Sequence, residues 1–349
     1  MKEIQINDKT IGKNKPVYII AEMSANHNQD FEKAVNIIKT AKACGADAIK
    51  LQTYTPDTLT INSSNEYFML KDTIWKGKTL YELYSGAYTP WEWTGRLKKI
   101  AREIGIDFFS TPFDASAVDF LENLDMPAYK IASFEIIDIP LLKKVARTGK
   151  PVILSTGMAS FEEIDEAVTV LKQAGCKQLC LLKCTSAYPA SPEDANLRTI
   201  PHLYKSFHCP VGISDHTLGD TVPLGSVPLG ASIIEKHFTL SREEKGADRE
   251  FSMEPAEFKT MVTRVRELEK ALGRVSYDIT GQQKQSLVFR RSLFIVENIA
   301  AGEPFTEKNV RSIRPSHGMH TRNLPEVLGK KARHAISKGT PLSKNMVIY

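Results

Sequence analysis

Between Val17 and about Arg274, eight short runs of β-branched and apolar residues alternate with longer stretches of helical periodicity. The strand-like runs fall at 17–21, 48–52, 106–110, 128–131, 151–154, 178–182, 210–213 and 232–236. Helix-like stretches lie at 30–44, 91–104, 115–124, 139–147, 161–174, 197–207, 221–229 and 255–272. Gly45, Gly105, Gly149, Gly175, Gly230 and Gly273 each follow a periodic run, where glycine commonly ends a helix. Eight alternating βα units predict an α/β fold, a closed (β/α)8 TIM barrel, which places its chemistry at the C-terminal ends of the strands. An open doubly wound sheet would need a glycine-rich phosphate turn after the first strand. Glu22-Met23-Ser24-Ala25-Asn26 is not such a turn.

Two segments fall outside the repeat. Residues 54–89 are too many for an ordinary βα connection and carry Trp75, Tyr81, Tyr84 and Tyr88, so a structured excursion over the active face, a lid, is expected there. From about Gly281 the pattern changes to short strand-like pieces at 292–296 and 310–313, with turns at Gly302-Glu303-Pro304 and Gly339-Thr340-Pro341. The chain therefore divides into a barrel at 1–280 and a small domain at 281–349, with 268–285 as helix end and linker.

Composition narrows the function. Lys and Arg total 46 against 41 Asp and Glu, a formal charge of +5. No block of like charges resembles a nucleic-acid-binding arm, so nucleic acid is not an expected partner. The mild positive excess suits an anionic small substrate. Charged residues open the chain without a following apolar signal segment, and no apolar run approaches the roughly 20 residues that span a bilayer. A cytoplasmic protein without membrane contact is expected. The five cysteines are an odd number, so they are read as small buried apolar residues and not as a disulfide framework.

The residues at or just past the strand ends are almost all polar or ionisable: Glu22, Asn26 and His27, Lys50, Thr111, Lys130, Ser133 to Glu135, Ser155, Lys183 to Ser186, Ser214 to His216, and His237. In a barrel these side chains converge on one mouth. Lys50 and Lys130 close apolar runs, and a buried ammonium needs an anion. A substrate phosphate or carboxylate would supply one, with Ser133, Ser155 and Ser214 as neutral donors; an internal carboxylate such as Glu22 or Glu135 is the alternative partner. His216 and His237 end adjacent strands, where two imidazoles can share a divalent ion and leave positions open for water and substrate. Glu22, Glu135, Glu235 and Asp248 are candidate general bases.

Most of these residues lie in segments that resemble the sialic acid (nonulosonic acid) synthase family. The segments are Ala21-Glu22-Met23-Ser24-Ala25-Asn26-His27, Ile49-Lys50-Leu51-Gln52-Thr53, Tyr129-Lys130-Ile131-Ala132-Ser133-Phe134-Glu135, Leu154-Ser155-Thr156-Gly157-Met158, Cys184-Thr185-Ser186-Ala187-Tyr188-Pro189, Gly212-Ile213-Ser214-Asp215-His216-Thr217 and Glu235-Lys236-His237-Phe238-Thr239. The resemblance covers essentially the whole chain. The resemblance implies a TIM barrel followed by an antifreeze-like (SAF) β-clip domain, in a domain-swapped homodimer. It implies that phosphoenolpyruvate condenses with the open-chain aldehyde of an N-acetylated amino sugar, consuming water and releasing phosphate by C–O cleavage.

By the same resemblance Lys50, Lys130, Ser133, Ser155, Ser186 and Ser214 would hold phosphoenolpyruvate. His216 and His237 would bind a divalent ion, commonly manganese, with magnesium or cobalt as substitutes. Glu22 and Glu135 would position the sugar and water or move protons, Asp248 would support the metal's surroundings, Gln52 and Tyr188 would line the site, and Arg314 would reach the partner's sugar site. Ile74-Trp75-Lys76-Gly77-Lys78-Thr79-Leu80-Tyr81, Lys183 to Ala190 and Val310-Arg311-Ser312-Ile313-Arg314-Pro315 are most similar to the branch that makes pseudaminic acid, whose acceptor is 2,4-diacetamido-2,4,6-trideoxy-L-altrose. Synthases of N-acetylneuraminate usually carry asparagine where Ser186 stands. Two departures bear on loop geometry: Ala247 in Lys245-Gly246-Ala247-Asp248 replaces an expected proline, and Pro223 and Pro228 punctuate the seventh helix.

Competing expectations are an N-acetylneuraminate or legionaminate synthase using N-acetylmannosamine or a D-configured diacetamido sugar, a Schiff-base aldolase using Lys130 or Lys183, and a non-catalytic carbohydrate-binding protein. An ice-binding role for the tail is the most distant of them.

Overall fold

The structure, a computed structural model, describes residues 2–71, 75–244 and 246–349. Ile74 and Lys245, which open two of the segments quoted above, lie outside the described residues. The chain forms two compact units, Met1–Gly273 and Arg274–Tyr349.

The first unit begins with an antiparallel hairpin, β1 (Glu3–Ile6) and β2 (Lys9–Gly12), which the sequence reading did not anticipate. The hairpin buries Ile4, Ile6 and Ile11 in one cluster with Tyr18, Ile20, Phe109, Ile153 and Leu182, the inward side chains of the barrel's lower layer. It thus plugs the barrel floor with three isoleucines. Only four residues per strand were available to show the alternation, too few for a periodicity to stand out.

Eight parallel strands follow: β3 (Tyr18–Glu22), β4 (Ala48–Thr53), β5 (Asp107–Pro112), β6 (Tyr129–Ile131), β7 (Val152–Ser155), β8 (Leu179–Cys184), β9 (Val211–Asp215) and β10 (Ile233–His237). Each pairs with the next, and β10 pairs with β3 to close the barrel. One principal helix follows each strand: Phe31–Ala43, Trp91–Ile104, Ala115–Asn123, Ile139–Arg147, Phe161–Gln173, Thr199–Phe207, Thr221–Ser226 and Pro255–Leu272. The expected TIM barrel is present. Most strands begin one residue later than the apolar runs suggested, and several continue onto the polar residues Glu22, Ser155, Asp215 and His237, because ladder hydrogen bonds do not require apolar side chains.

Helix ends follow local chemistry. Asp30 and Asp114 cap their helices through side-chain acceptors, and Gly105 ends Trp91–Ile104 at φ +70°, a conformation favoured by glycine. The seventh helix stops at Ser226, shorter than the 221–229 expected, with Pro228 just past its end. The long 54–89 segment carries helices Pro56–Leu59 and Leu80–Ala87, and its Trp75 indole donates to the Ala247 carbonyl at 3.1 Å in the loop after β10.

Alternation sets the architecture of the mouth. Outward residues such as Ile19, Ile49, Leu154 and Ile213 pack under the helices in the large core. Inward residues change along each strand from apolar to polar: Ile20 to Glu22, Ala48 to Lys50, Ala128 to Lys130, Ile153 to Ser155, and Ile233 to Glu235 and His237.

The second unit carries two antiparallel pairs, β11 (Ser292–Ile295) with β12 (Val310–Ile313), and β13 (Lys331–Ala332) with β14 (Val347–Ile348). Its own core comprises Leu293, Ile295, Ile299, Phe305, Val310, Val327, Ala332, Ile336, Leu342 and Val347. The backbone comes close at Gly318, where a Cβ would lie 2.1 Å from the Leu293 carbonyl oxygen. No helix among the described residues is long and apolar enough to cross a membrane.

Candidate active site at the barrel mouth

Lys50 and Lys130 reach the mouth from β4 and β6, each almost completely buried. Their internal partners are Glu22 and Glu235, and the pairing with Glu135 that the sequence left open is not among them. Lys50 Nζ lies 2.5 Å from Glu22 Oε2 and 3.9 Å from Glu235 Oε2, while Lys130 Nζ lies 3.6 Å from Glu235 Oε1. Thr111 accepts from Lys50 at 3.1 Å, and Ser214 donates to Glu235 at 3.0 Å. Burial raises the Glu22 carboxyl above its ordinary value against the pull of Lys50. Burial lowers Lys130, which Glu235 only partly offsets. Two ammonium groups and two carboxyl groups thus share one dry cluster with little net charge to spare.

A hydrogen-bond chain leads outward from Glu22. Gln52 donates to Glu22 Oε1 at 3.2 Å and to Ser24 Oγ at 2.9 Å, and Ser24 donates to Asp248. Asp248 also accepts from the Ala25 amide at 3.3 Å, so the loop after β10 is tied to the end of β3. Burial pushes the Asp248 carboxyl up.

On the opposite wall, Ser133 Oγ and Ser186 Oγ are 2.8 Å apart. Gly157 sits against both at φ +48°, and a Cβ there would come 2.3 Å from Ser133 Cβ and 2.8 Å from Ser186 Oγ. That position excludes any other residue without moving the two serines. Ser155, Glu135 and His237 each bury a polar atom (Oγ, Oε2 and Nδ1) that has no hydrogen-bond partner among the described residues. Such atoms are costly unless a ligand or water meets them. Glu135 follows Ser133 in the turn after β6, and burial pushes its carboxyl up to about 7.

His216 and His237 face each other with ring centroids 5.3 Å apart. The Thr185 carbonyl lies 2.9 Å from His216 Nδ1, so Nδ1 carries a proton and donates it, and against the effect of burial the hydrogen bonds to Cys184 and Thr185 raise the His216 pKa. Burial holds His237 well below its ordinary pKa, hence neutral. Tyr188 packs on His216 at 4.4 Å and on Phe251 at 5.1 Å, and Phe251 also meets His237 at 4.9 Å. Among the described residues, no group of three or more His, Cys, Asp or Glu side chains forms a metal cage.

Glu22, Glu135, Lys50, Gln52, Lys130, Ser133, Ser155, Ser186, Tyr188, Ser214, His216, His237 and Asp248 therefore all stand on the barrel strands or on the loops that follow them. Arg314 belongs to the second unit, where it is exposed, its guanidinium carbon 5.9 Å from the ring centre of the exposed Phe289. Lys183 has the parity of Leu179 and Leu181 and so turns away from the interior, its ammonium donating to Thr185 Oγ1 at 2.8 Å and the Cys184 carbonyl at 3.0 Å. The lysine aldolase alternative loses that candidate.

Cys184 lacked a functional role in the sequence reading, and Glu235, named there among the candidate general bases, was not matched to the lysines. Cys184 is buried with its sulfur 3.9 Å from His216 Nδ1. Glu235 proves to be the carboxylate between the two lysines. The available signal was strand parity, since Cys184 lies two residues beyond the inward Leu182, and Glu235 two beyond the inward Ile233.

A closed βα barrel whose mouth gathers paired ammonium groups, carboxylates, serine hydroxyls and two imidazoles belongs to an enzyme of small, anionic, oxygen-rich substrates. The NeuB family model matches residues 37–277 and the SAF domain model residues 290–348, and the chain belongs to the NeuB family, that of the sialic acid synthases. It is 46% identical to a pseudaminic acid synthase of Campylobacter jejuni over 95% of this chain and 96% of that one. An N,N'-diacetyllegionaminic acid synthase of the same species is 37% identical over 91% and 96%. The crystal structure of the N-acetylneuraminic acid synthetase of Leptospira borgpetersenii in complex with citrate superposes with a TM-score of 0.73 and 35% identity, covering 82% of this chain and 95% of that one.

Proposed function

We propose that this chain is a pseudaminic acid synthase that condenses phosphoenolpyruvate with 2,4-diacetamido-2,4,6-trideoxy-L-altrose and water, giving pseudaminic acid and phosphate. The observation that carries the reading is the joint one: an anion-ready barrel mouth in a chain more alike, along nearly its whole length, to a pseudaminic than to a legionaminic acid synthase.

The residues divide the work by chemistry. Lys50 and Lys130 offer the buried ammonium groups for phosphate and carboxylate, with Ser133, Ser155, Ser186 and Ser214 as neutral donors. Ser155 Oγ is unengaged among the described residues and Gly157 holds the serine pair in place. Because Glu22 and Glu235 already balance the lysines, a multiply charged anion entering the mouth needs additional positive charge. His216 and His237 fit a divalent ion, manganese or alternatively magnesium or cobalt: both rings are buried, His216 Nδ1 is engaged by the Thr185 carbonyl so that a ligand would meet Nε2, and His237 Nδ1 has no partner among the described residues. With two protein ligands its remaining positions would fall to water and substrate oxygens. Such an ion supplies Lewis acidity for polarising the sugar aldehyde.

Glu22, through Gln52, and Asp248, through Ser24, orient the acceptor hydroxyl and amide groups. Glu135, with a carboxyl titrating near neutrality, exchanges a proton with the reacting water or with the aldehyde oxygen as it becomes a hydroxyl. Tyr188 supplies an aromatic wall beside His216. The full enzyme is read as a cytoplasmic, domain-swapped homodimer in which Arg314 of one chain serves the sugar site of the other; the SAF domain and the resemblance support this.

The test is phosphate release and product mass with phosphoenolpyruvate, Mn2+ and a panel of acceptors. Turnover confined to the L-altrose derivative supports the reading. Turnover with N-acetylmannosamine or the D-configured diacetamido sugar moves the enzyme to the neuraminate or legionaminate branch, and none with any acceptor favours a binding protein.

A further inference from the structure

Behind the two histidines, on the outer side of the barrel wall, lies a charged cluster that the reaction does not use. Lys236 immediately precedes His237, Asp215 immediately precedes His216, and the two are register partners across β9 and β10. Lys236 Nζ lies 2.5 Å from Asp215 Oδ2 and also donates to the Thr217 carbonyl. Asp215 accepts from the Thr217 amide and from its hydroxyl, both at 3.0 Å. Lys236, Asp215 and Thr217 are 0%, 3% and 1% exposed.

The location is unusual for a charge. Neighbouring outward positions of the barrel wall hold Ala21, Leu51, Ile131, Leu154, Ile213 and Ile234, all buried under helices. Replacing a buried ion pair by apolar residues is often neutral or stabilising, so the pair is poorly explained by stability alone. Its geometry offers another reason. One side chain from β10 clasps both the end of β9 and the turn that carries His216 past it, so the registry of the two strand ends and the path of the His216 backbone are fixed together. The opposite side of that turn is held independently, by the Ala190 amide donating to the His216 carbonyl at 3.0 Å.

We propose that the Lys236–Asp215 pair is a positioning device that sets the separation and convergence of the His216 and His237 rings, and thereby tunes the affinity of the site for a divalent cation, without touching cation or substrate. This rests on the reading of the two histidines as the cation's ligands.

The experiment measures Mn2+ binding by electron paramagnetic resonance in the full chain without substrate, together with thermal unfolding, for the parent, His237→Ala, Asp215→Asn and the double variant Lys236→Met/Asp215→Asn. The double variant removes both buried charges, and its asparagine oxygen keeps an acceptor for Thr217. The expected result is a folded double variant whose Mn2+ dissociation constant rises by roughly 10–100-fold, the scale for groups that orient ligands, with Asp215→Asn in between. A folded double variant with parental Mn2+ affinity overturns the positioning role while leaving the histidines in place. Parental affinity in His237→Ala, or no Mn2+ uptake by the parent, removes the metal reading itself. Failure of both Asp215→Asn and the double variant to fold also overturns the proposal, because the pair is then structural.

Discussion

Lys50 Nζ and Glu22 Oε2 lie 2.5 Å apart on register partners of neighbouring strands, 4% and 1% exposed, so neither charge is solvated without the other. Lys50→Met leaves Glu22 buried beside only the more distant charges, and a stability loss of about 3–5 kcal/mol is expected. The double variant Lys50→Met/Glu22→Gln should recover much of that loss yet remain without turnover. Thermal unfolding and phosphate release separate the two effects.

Glu135 makes the enzyme's pH response readable. Its carboxyl titrates at about 7 in the folded protein, above the ordinary carboxylate value. The folded state therefore holds a proton that the unfolded chain has released between those two values, and stability contributed by the neutral carboxyl falls as pH rises toward 7. Glu135→Gln should melt higher than the parent at pH 8, with the difference shrinking toward pH 5, while losing the limb of the rate profile centred near 7. An unchanged rate profile would remove Glu135 from proton transfer.

Gly157→Ala places a Cβ within 2.3 Å of Ser133 Cβ at a backbone conformation that L residues rarely adopt. The Ser133–Ser186 contact should part, at a stability cost of about 1–3 kcal/mol. Steady-state kinetics should show KM for phosphoenolpyruvate rising more than KM for the sugar; the opposite order would place the serines at the acceptor.

Chelation should abolish turnover reversibly, and His237→Ala should weaken Mn2+ binding by at least about 100-fold while the protein stays folded. Turnover that survives in His237→Ala and still depends on added metal would take His237 out of the ligand set.

Arg314→Ala should raise KM for the sugar by roughly tenfold, the worth of one charge-assisted hydrogen bond, with little effect on KM for phosphoenolpyruvate. Equal effects on both substrates would mean that Arg314 is not a sugar contact.

The barrel was legible because each βα unit writes its own short signal, and eight such signals close only a few architectures. Lys50, Lys130, His216 and His237 were legible for a related reason: a polar residue ending an apolar strand must face the mouth or the outer shell, and strand parity chooses between them. Parity also separates Lys183 from Lys130, which composition treats alike. The β1–β2 hairpin was not legible, since its three isoleucines acquire meaning only against a barrel floor built from strands far along the chain.

What the amino-acid sequence by itself determined is the inventory and its periodicity: eight strands, their inward and outward faces, and the ionisable residues at their ends, because these depend on local backbone sterics and on burial patterns repeated every two or about 3.6 residues. Tertiary structure alone decided the pairings. Glu235 and not Glu135 meets Lys130, Gly157 presses on Ser133 and Ser186, and Lys236 finds Asp215, since charges and hydroxyls separated by tens of residues acquire partners only when barrel closure sets strand against strand and removes water from between them.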